Sequence, residues 1–172
     1  YIRRQLRNQE LDDVPPLLTQ LRKLEPNIAA ELTFRWHVQS GNADAGIKSL
    51  TEYLAQADPS PELQARRIHQ MAELVERVAS GLKQDSPDRP PLFTAAEAWY
   101  REIIEKVPEA TLSLARLLGK TERISEALKL CDGVRTAQIN VQVYDTAMQV
   151  VRQHGATPED VSQVETWLKD AL

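Results

Sequence analysis

The sequence predicts an all-α protein, and three observations lead to that prediction. Apolar residues recur every three or four positions through most of the chain, which places them on one face of a helix. Glycine is scarce, at 6 of 172 residues, and Thr, Ile and Phe do not cluster into short alternating runs. Paired helix stops occur at Gly41, Pro59, Pro108 and Gly155. We therefore expect nine or ten helices arranged in consecutive antiparallel pairs.

Composition and charge limit the functions that this chain can have. A hydrophobic fraction of 42% in 172 residues is enough for a real core, in one or two domains. A net charge of −4 argues against a general binder of nucleic-acid phosphates. No apolar run approaches the ~18 residues that a transmembrane helix needs. Cys131 is the single cysteine, so it forms no disulfide within the chain and fits a reducing compartment.

The N-terminal helices are predicted from caps and apolar spacing. Residues 1–8 look like the tail of a helix that begins earlier, so we expect the sequence to be a piece of a longer protein. In 11–16 an aspartate cap is followed by prolines, which is typical of a helix start. The next helices are predicted over 28–40 and 44–56, separated by a stop at Gly41.

The middle of the chain predicts a long helix, a loop and another helix. Residues 61–83 have an apolar stripe with a period of about 3.6 residues. The Pro- and charge-rich segment 84–92 predicts an exposed loop that tolerates shortening. Thr94 then predicts the N-cap of the following helix, with Glu97 completing a capping box.

The segment 94–108 shows the clearest packing pattern in the chain. Ala96, Tyr100 and Ile103 fall on one helix face, and Pro108 follows where the helix must stop. A small residue at Ala96 lets another helix come close, so we expect it to be buried at a helix–helix contact. The same spacing occurs a second time, at Val14, Leu18, Leu21 and Pro26.

The C-terminal third predicts four further helices. The first, 109–119, is apolar on most of its surface, which predicts burial between neighbouring helices. A second covers 123–134, and a third covers 138–154. The predicted apolar face of 138–154 consists of Tyr144, Ala147, Met148 and Val151. Thr157 and Pro158 start the last helix, whose predicted stripe is Val161, Val164, Leu168 and Leu172.

These patterns resemble the tetratricopeptide repeat (TPR), whose second helix carries a small residue, an aromatic residue and a closing proline. Pro59 follows Pro26 by 33 residues, close to the family's period of ~34. The resemblance covers most of the chain and implies a right-handed superhelical stack of antiparallel helix pairs, a TPR-like α-solenoid. It implies a single domain, 1–172, with approximate units 1–26, 27–59, 60–108, 109–135 and 136–172.

The resemblance also implies a function, a non-catalytic scaffold that binds a peptide or protein segment in a concave groove. The family register turns these residues toward the groove: Glu31, Arg35, Gln39, His69, Glu73, Arg116, Asp145, Gln149 and Arg152. Such a groove is polar with mixed charge, which suits an extended peptide with charged side chains. The family implies no catalytic residues and no cofactor.

Residues with other potential chemistry have plainer structural interpretations. His37, His69 and His154 have no ligand-like spacing to each other or to Cys131, so we expect no metal site. Cys131 lies at a position that the repeat uses for packing, where cysteine acts as a small hydrophobic residue.

Other functions stay open. The chain is alternatively a structural spacer between flanking domains, an RNA-binding helical repeat similar to pentatricopeptide proteins, or an enzyme. The acidic balance counts against the RNA interpretation. We expect a protein or peptide partner, no contact with nucleic acid or membrane, and a cytoplasmic location. Open solenoid ends would also allow self-association.

Overall fold

All of the regular secondary structure in the described part of the chain is α-helical. A computed structural model describes residues 14–56, 60–137 and 141–171. Within these ranges there are nine helices and no strand, which confirms the predicted all-α class. They are α1 (Val14–Leu24), α2 (Pro26–Gln39), α3 (Ala43–Leu54), α4 (Pro61–Gly81), α5 (Arg89–Ile103), α6 (Glu109–Lys120), α7 (Ile124–Ala137), α8 (Val141–Val151) and α9 (Pro158–Asp170). The helix predicted over 1–8 lies outside the described residues.

The chain divides into two compact units. The first is Tyr1–Trp99 and the second is Tyr100–Leu172, so the division falls inside α5. The single domain and the repeat boundaries implied by the family resemblance stay predictions beside this division. None of the described helices is long and apolar enough to cross a membrane.

In the first unit, α1 packs along α2 through a small apolar cluster. Val14 and Leu18 of α1 are buried together with Leu32 of α2. Leu21 and Trp36 are partly buried and pack against this cluster. The apolar spacing in the sequence therefore predicts the packed face of α1 correctly.

The helices α2 and α3 come close together because a glycine lies at their contact. A Cβ atom on Gly46 would lie 3.0 Å from Phe34 Cδ2 and 3.3 Å from the Phe34 carbonyl oxygen. A larger residue therefore needs a shift of the aromatic ring or the backbone. Further along α3, Leu50, Tyr53 and Leu54 are buried, as their spacing predicts.

Side chains cap the starts of α3 and α4. Asn42 Oδ1 accepts a hydrogen bond from the Ala45 backbone N–H at 3.0 Å, which starts α3. Asp88 Oδ1 accepts from the Ala43 N–H at 3.2 Å, another donor that the helix itself leaves unused. Ser60 caps α4 in the same way. These caps explain why α3 and α4 begin where their sequences predict.

Two predictions about the start of α5 are wrong. The helix begins at Arg89, so the predicted loop 84–92 ends early, and Leu92 is fully buried. Thr94 is not the N-cap, because its hydroxyl donates to the Pro90 carbonyl oxygen at 3.1 Å from inside the helix. Proline fits a first helical turn because the N–H groups there have no intrahelical acceptor. The prolines therefore start this helix instead of excluding it.

The central face of α5 agrees with the prediction. Ala96 and Tyr100 are completely buried, and Ile103 is 1% exposed. The three positions lie one turn apart on one side of the helix. The interval of small, aromatic and apolar residues therefore identifies a buried face.

In the second unit, α6 is buried on most of its surface. Leu114, Leu117 and Leu118 are fully buried, and α6 contacts both α7 and α8. From α7, Leu128 and Cys131 are buried. The prediction that this short apolar helix lies between neighbours is confirmed.

The buried face of α8 differs from the predicted one. Ala147 is buried as predicted, but its buried neighbours along the helix are Val143 and Val150. The other predicted positions, Tyr144, Met148 and Val151, are only partly buried. A Cβ on Gly119 of α6 would lie 3.2 Å from Val150 Cγ2, so the two helices are very close. Compact valine side chains fit this contact, and tyrosine and methionine do not.

The start of α9 is confirmed, and its buried face is corrected. Thr157 is the N-cap residue, and it forms a capping box with Asp160. Val164 and Trp167 are buried, whereas Val161 is 38% exposed. The predicted Leu168 is only partly buried, and Leu172 lies outside the described residues. An indole buries more apolar surface than a valine, so the buried face includes Trp167 instead of Val161.

Candidate functional site

Five of the nine predicted groove residues lie in the first unit, and four of them form two pairs. Arg35 Nε donates to Glu31 Oε1 at 3.0 Å on α2. His69 Nε2 lies 3.9 Å from Glu73 Oε1 on α4. Gln39 is exposed and belongs to neither pair. Both pairs have the i,i+4 spacing that is ordinary on a solvated helix face.

The other four predicted residues lie in the second unit. Gln149 Nε2 donates to Asp145 Oδ2 at 2.7 Å on α8. Arg116 donates to Ser113 Oγ at 3.0 Å on α6. Arg152 is exposed and takes no part in these two bonds. The structure thus brings predicted residues together within single helices, and the groove itself stays a prediction.

A concave surface opens in the second unit beside the start of α6 and the second half of α7. Its volume is about 460 Å³, which is in the usual range of ligand sites. Most of its lining is apolar, from Ile104, Pro108, Leu112, Leu130, Val134 and Ala137. Its polar residues are Glu109, Thr111, Lys129 and Gln142. Gly133 completes the lining, and we call this surface the α6–α7 concavity.

The local sequence explains how this concavity is built. Pro108 is the N-cap residue of α6, and Glu109 occupies the first turn. Leu112, only 5% exposed, lies one turn further on. Leu130 and Val134 are one turn apart on α7 and stay half-buried. Apolar side chains from two helices therefore line one place, where those of α7 are partly accessible.

A glycine in the middle of α7 leaves space at this surface. Gly133 lines the concavity, and a Cβ atom there would meet no described atom within 4 Å. Glycine inside a helix costs about 0.5–1 kcal/mol relative to alanine, and packing does not explain this one. Gly46 and Gly119 are held against neighbouring helices, and Gly81 ends its helix. A mid-helix glycine is thus a sequence feature of this site, although the residue type alone does not distinguish it from the packed Gly46 and Gly119.

Lys129 is the cation of the concavity, and the nearest acidic residues along α7 are already paired. The Glu126 carboxylate accepts hydrogen bonds from Arg101 and Arg123. The bond from Arg101 is the main reason that the pKa of Glu126 lies below its usual value. Asp132 accepts from the arginine three residues on, at 2.8 Å. Among the described residues, Lys129 has no ion-pair partner.

A second concave surface, in the first unit, is smaller and polar. It has a volume of about 140 Å³ and lies beside α2 and α3. Arg22 and Glu52 bring opposite charges to its lining. Thr33 also lines it, is 8% exposed, and forms no hydrogen bond with another described side chain. The hydroxyl of Tyr53, a further lining residue, donates to Asn27 Oδ1. This surface is the α2–α3 cavity.

Cys131 and His37 lie outside the linings of both surfaces. Cys131 is fully buried, and burial raises the pKa of its thiol to about 12, so the thiolate nucleophile is disfavoured. The interpretation of Cys131 as a packing residue is confirmed. Burial lowers the pKa of His37, which favours the neutral imidazole. In the part of the chain that the structure describes, no group of three or more His, Cys, Asp or Glu residues is placed to hold a metal ion.

Comparison with known proteins identifies no relative of this chain. Neither protein-family profiles, nor curated proteins, nor solved structures give a match to this chain. The tetratricopeptide resemblance therefore rests on the sequence pattern alone.

Proposed function

We propose that this chain is a non-catalytic scaffold for protein–protein interaction, and that a partner segment binds in the α6–α7 concavity. The observation that supports this most is the open apolar surface itself. Leu130 and Val134 remain partly accessible. Beside them lies Gly133, a helical glycine that is not packed against a neighbouring helix. Apolar surface of this kind is typical of sites that receive side chains from a partner.

The proposed architecture is a TPR-like α-solenoid. In the second unit, α6 contacts α7 and α8, and α7 contacts α8 and α9. In the first unit, α2 contacts α1, α3 and α4. Contacts to the next helix and to the one after it are what stacked helix pairs produce. This pattern supports a repeat scaffold, and scaffolds of this class bind partners.

The size of the concavity limits how a segment binds. Full burial of one large apolar side chain contributes about 1.5–3 kcal/mol. A dissociation constant of about 1 μM corresponds to about 8 kcal/mol, before the cost of ordering the segment. A partner therefore needs more than one contact: an apolar anchor in the concavity and further contacts along its rim.

The test uses the whole chain and a peptide library. A displayed library of dodecapeptides is selected on the immobilised chain, and the best peptide is titrated by calorimetry. Gly133→Leu should lower its affinity at least about tenfold, because the new side chain occupies the concavity. Its melting temperature should not fall, since leucine is a better helix former than glycine by about 0.8 kcal/mol.

Gly81→Leu is the matched control. Gly81 is also helical, a Cβ there meets no described atom within 4 Å, and it lines neither concave surface. Its affinity for the peptide should equal that of the wild type. If no peptide is selected, or if Gly133→Leu binds as tightly as Gly81→Leu, the proposed site is wrong. The first of these results would favour a structural spacer.

A further inference from the structure

We infer that the partner segment carries an acidic side chain, next to its apolar anchor, that pairs with Lys129. This inference rests on the proposed binding of a segment in the α6–α7 concavity. The expected partner segment has an apolar residue flanked by aspartate or glutamate. Charge complementarity with Lys129 is the reason for expecting the acidic residue.

The position of Lys129 in its helix does not explain its charge. A cation is stabilised by the helix dipole only in the last turn, and Lys129 lies in the first half of α7. Ion pairs along a helix form with residues three or four positions away. The acidic residues at those distances, Glu126 and Asp132, are already held by arginines. The exposed lysine ammonium is therefore available to a group from outside the helix.

The other charged residue of the concavity differs in this respect. Glu109 lies in the first turn of α6, where the helix dipole favours an acidic side chain. It thus has a local structural reason to be there. A segment lying in the concavity therefore meets one negative charge that its own helix stabilises and one positive charge without a described partner.

The lining around Lys129 favours an acidic side chain over other anions. Leu130 and Val134 follow it on α7, so an anion that approaches Lys129 lies beside apolar surface. A nucleic acid or a lipid surface needs several basic side chains, and this lining holds one. A single carboxylate next to an apolar side chain matches what the surface presents.

The experiment is a charge exchange between protein and peptide. The selected dodecapeptide is made with Asp, Asn or Lys beside its apolar anchor, and with an amidated C-terminus so that no terminal carboxylate substitutes for the side chain. Each peptide is titrated against the wild-type chain, Lys129→Gln and Lys129→Glu. Lys48→Glu, on an exposed lysine of α3, is the matched control.

The Asp peptide should bind the wild type about three- to tenfold more tightly than the Asn peptide, and this advantage should vanish in Lys129→Gln. In Lys129→Glu the Lys peptide should bind more tightly than the Asp peptide, the reverse of the wild type. In Lys48→Glu the Asp peptide should still bind more tightly. The advantage should also shrink as salt is raised.

Two failures are distinguishable. Equal binding of the Asp, Asn and Lys peptides to the wild type, with binding still blocked in Gly133→Leu, would overturn the inference and leave the proposed function in place. If Gly133→Leu also has no effect on binding, the proposed function and this inference both fail.

Discussion

The two concave surfaces of this protein differ in size and in how much of the lining is apolar. The α2–α3 cavity, of about 140 Å³, has Arg22 and Glu52 on its own lining. The α6–α7 concavity, of about 460 Å³, has an apolar lining and a lysine whose acidic helix neighbours are paired elsewhere. The first surface offers opposite charges in a small space. The second offers a larger and mostly apolar area, with Lys129 and Glu109 among its polar residues, and is the better basis for binding a protein segment.

Glycine has two opposite structural roles in the helices of this protein. Gly46 in the first unit and Gly119 in the second let helices touch, since a Cβ at either would crowd a neighbour. Gly133 keeps an exposed surface open instead. A helical glycine therefore marks either a contact or a gap, and only the surrounding structure distinguishes the two.

The largest expected effect separates these two kinds of glycine. Gly119→Leu should destabilise the chain by about 1–3 kcal/mol or more, because the side chain overpacks the contact with Val150. Gly133→Leu should leave stability unchanged or raise it by up to about 1 kcal/mol. Denaturant unfolding followed by circular dichroism measures both. A similar loss of stability in the two variants would contradict the distinction between a glycine at a helix contact and a glycine at an open surface.

A smaller effect is expected in the α2–α3 cavity. Thr33→Val replaces a hydroxyl, on a residue that lines this cavity and is 8% exposed, with a methyl group of similar size. Stability should change by no more than about 1 kcal/mol, because the hydroxyl forms no hydrogen bond with a described residue that the substitution would remove. The affinity for the selected peptide should not change. Weaker peptide binding in this variant would assign the α2–α3 cavity a role in recognition.

The smallest expected effect concerns the predicted groove. Arg35 pairs with Glu31 on a partly exposed helix face, so Arg35→Glu should change stability by no more than about 0.5 kcal/mol. If the segment binds in the α6–α7 concavity, the affinity of the peptide should also be unchanged. Loss of binding in Arg35→Glu, with an unchanged melting temperature, would favour the groove that the family resemblance implies.

Local sequence patterns predicted the helices well but the surfaces poorly. The small–aromatic–apolar spacing identified the buried face of α5, and Thr157 followed by Pro158 identified the start of α9. These features depend on residues within one helix. The predicted start of α5 is wrong because prolines fit both a loop and the first turn of a helix.

The remaining errors have a common physical cause. The buried face of α8 depends on how closely Gly119 lets α6 approach Val150, and spacing within α8 does not contain that information. The α6–α7 concavity likewise needs residues from separate helices, such as Leu112 and Leu130. Polar residues were predicted as the binding surface, yet several of them satisfy each other one turn apart. Apolar residues left accessible between helices become visible only in three dimensions.

Contacts between the selected peptide and individual methyl groups test the central claim most directly. In methyl-labelled protein, intermolecular nuclear Overhauser effects should connect the apolar anchor of the peptide to Leu112, Leu130 and Val134. The methyl groups of Leu50 and Leu54, buried in the first unit, should show none. Contacts to the first unit, with no contacts to Leu130 or Val134, would contradict the proposal that the α6–α7 concavity is the binding site.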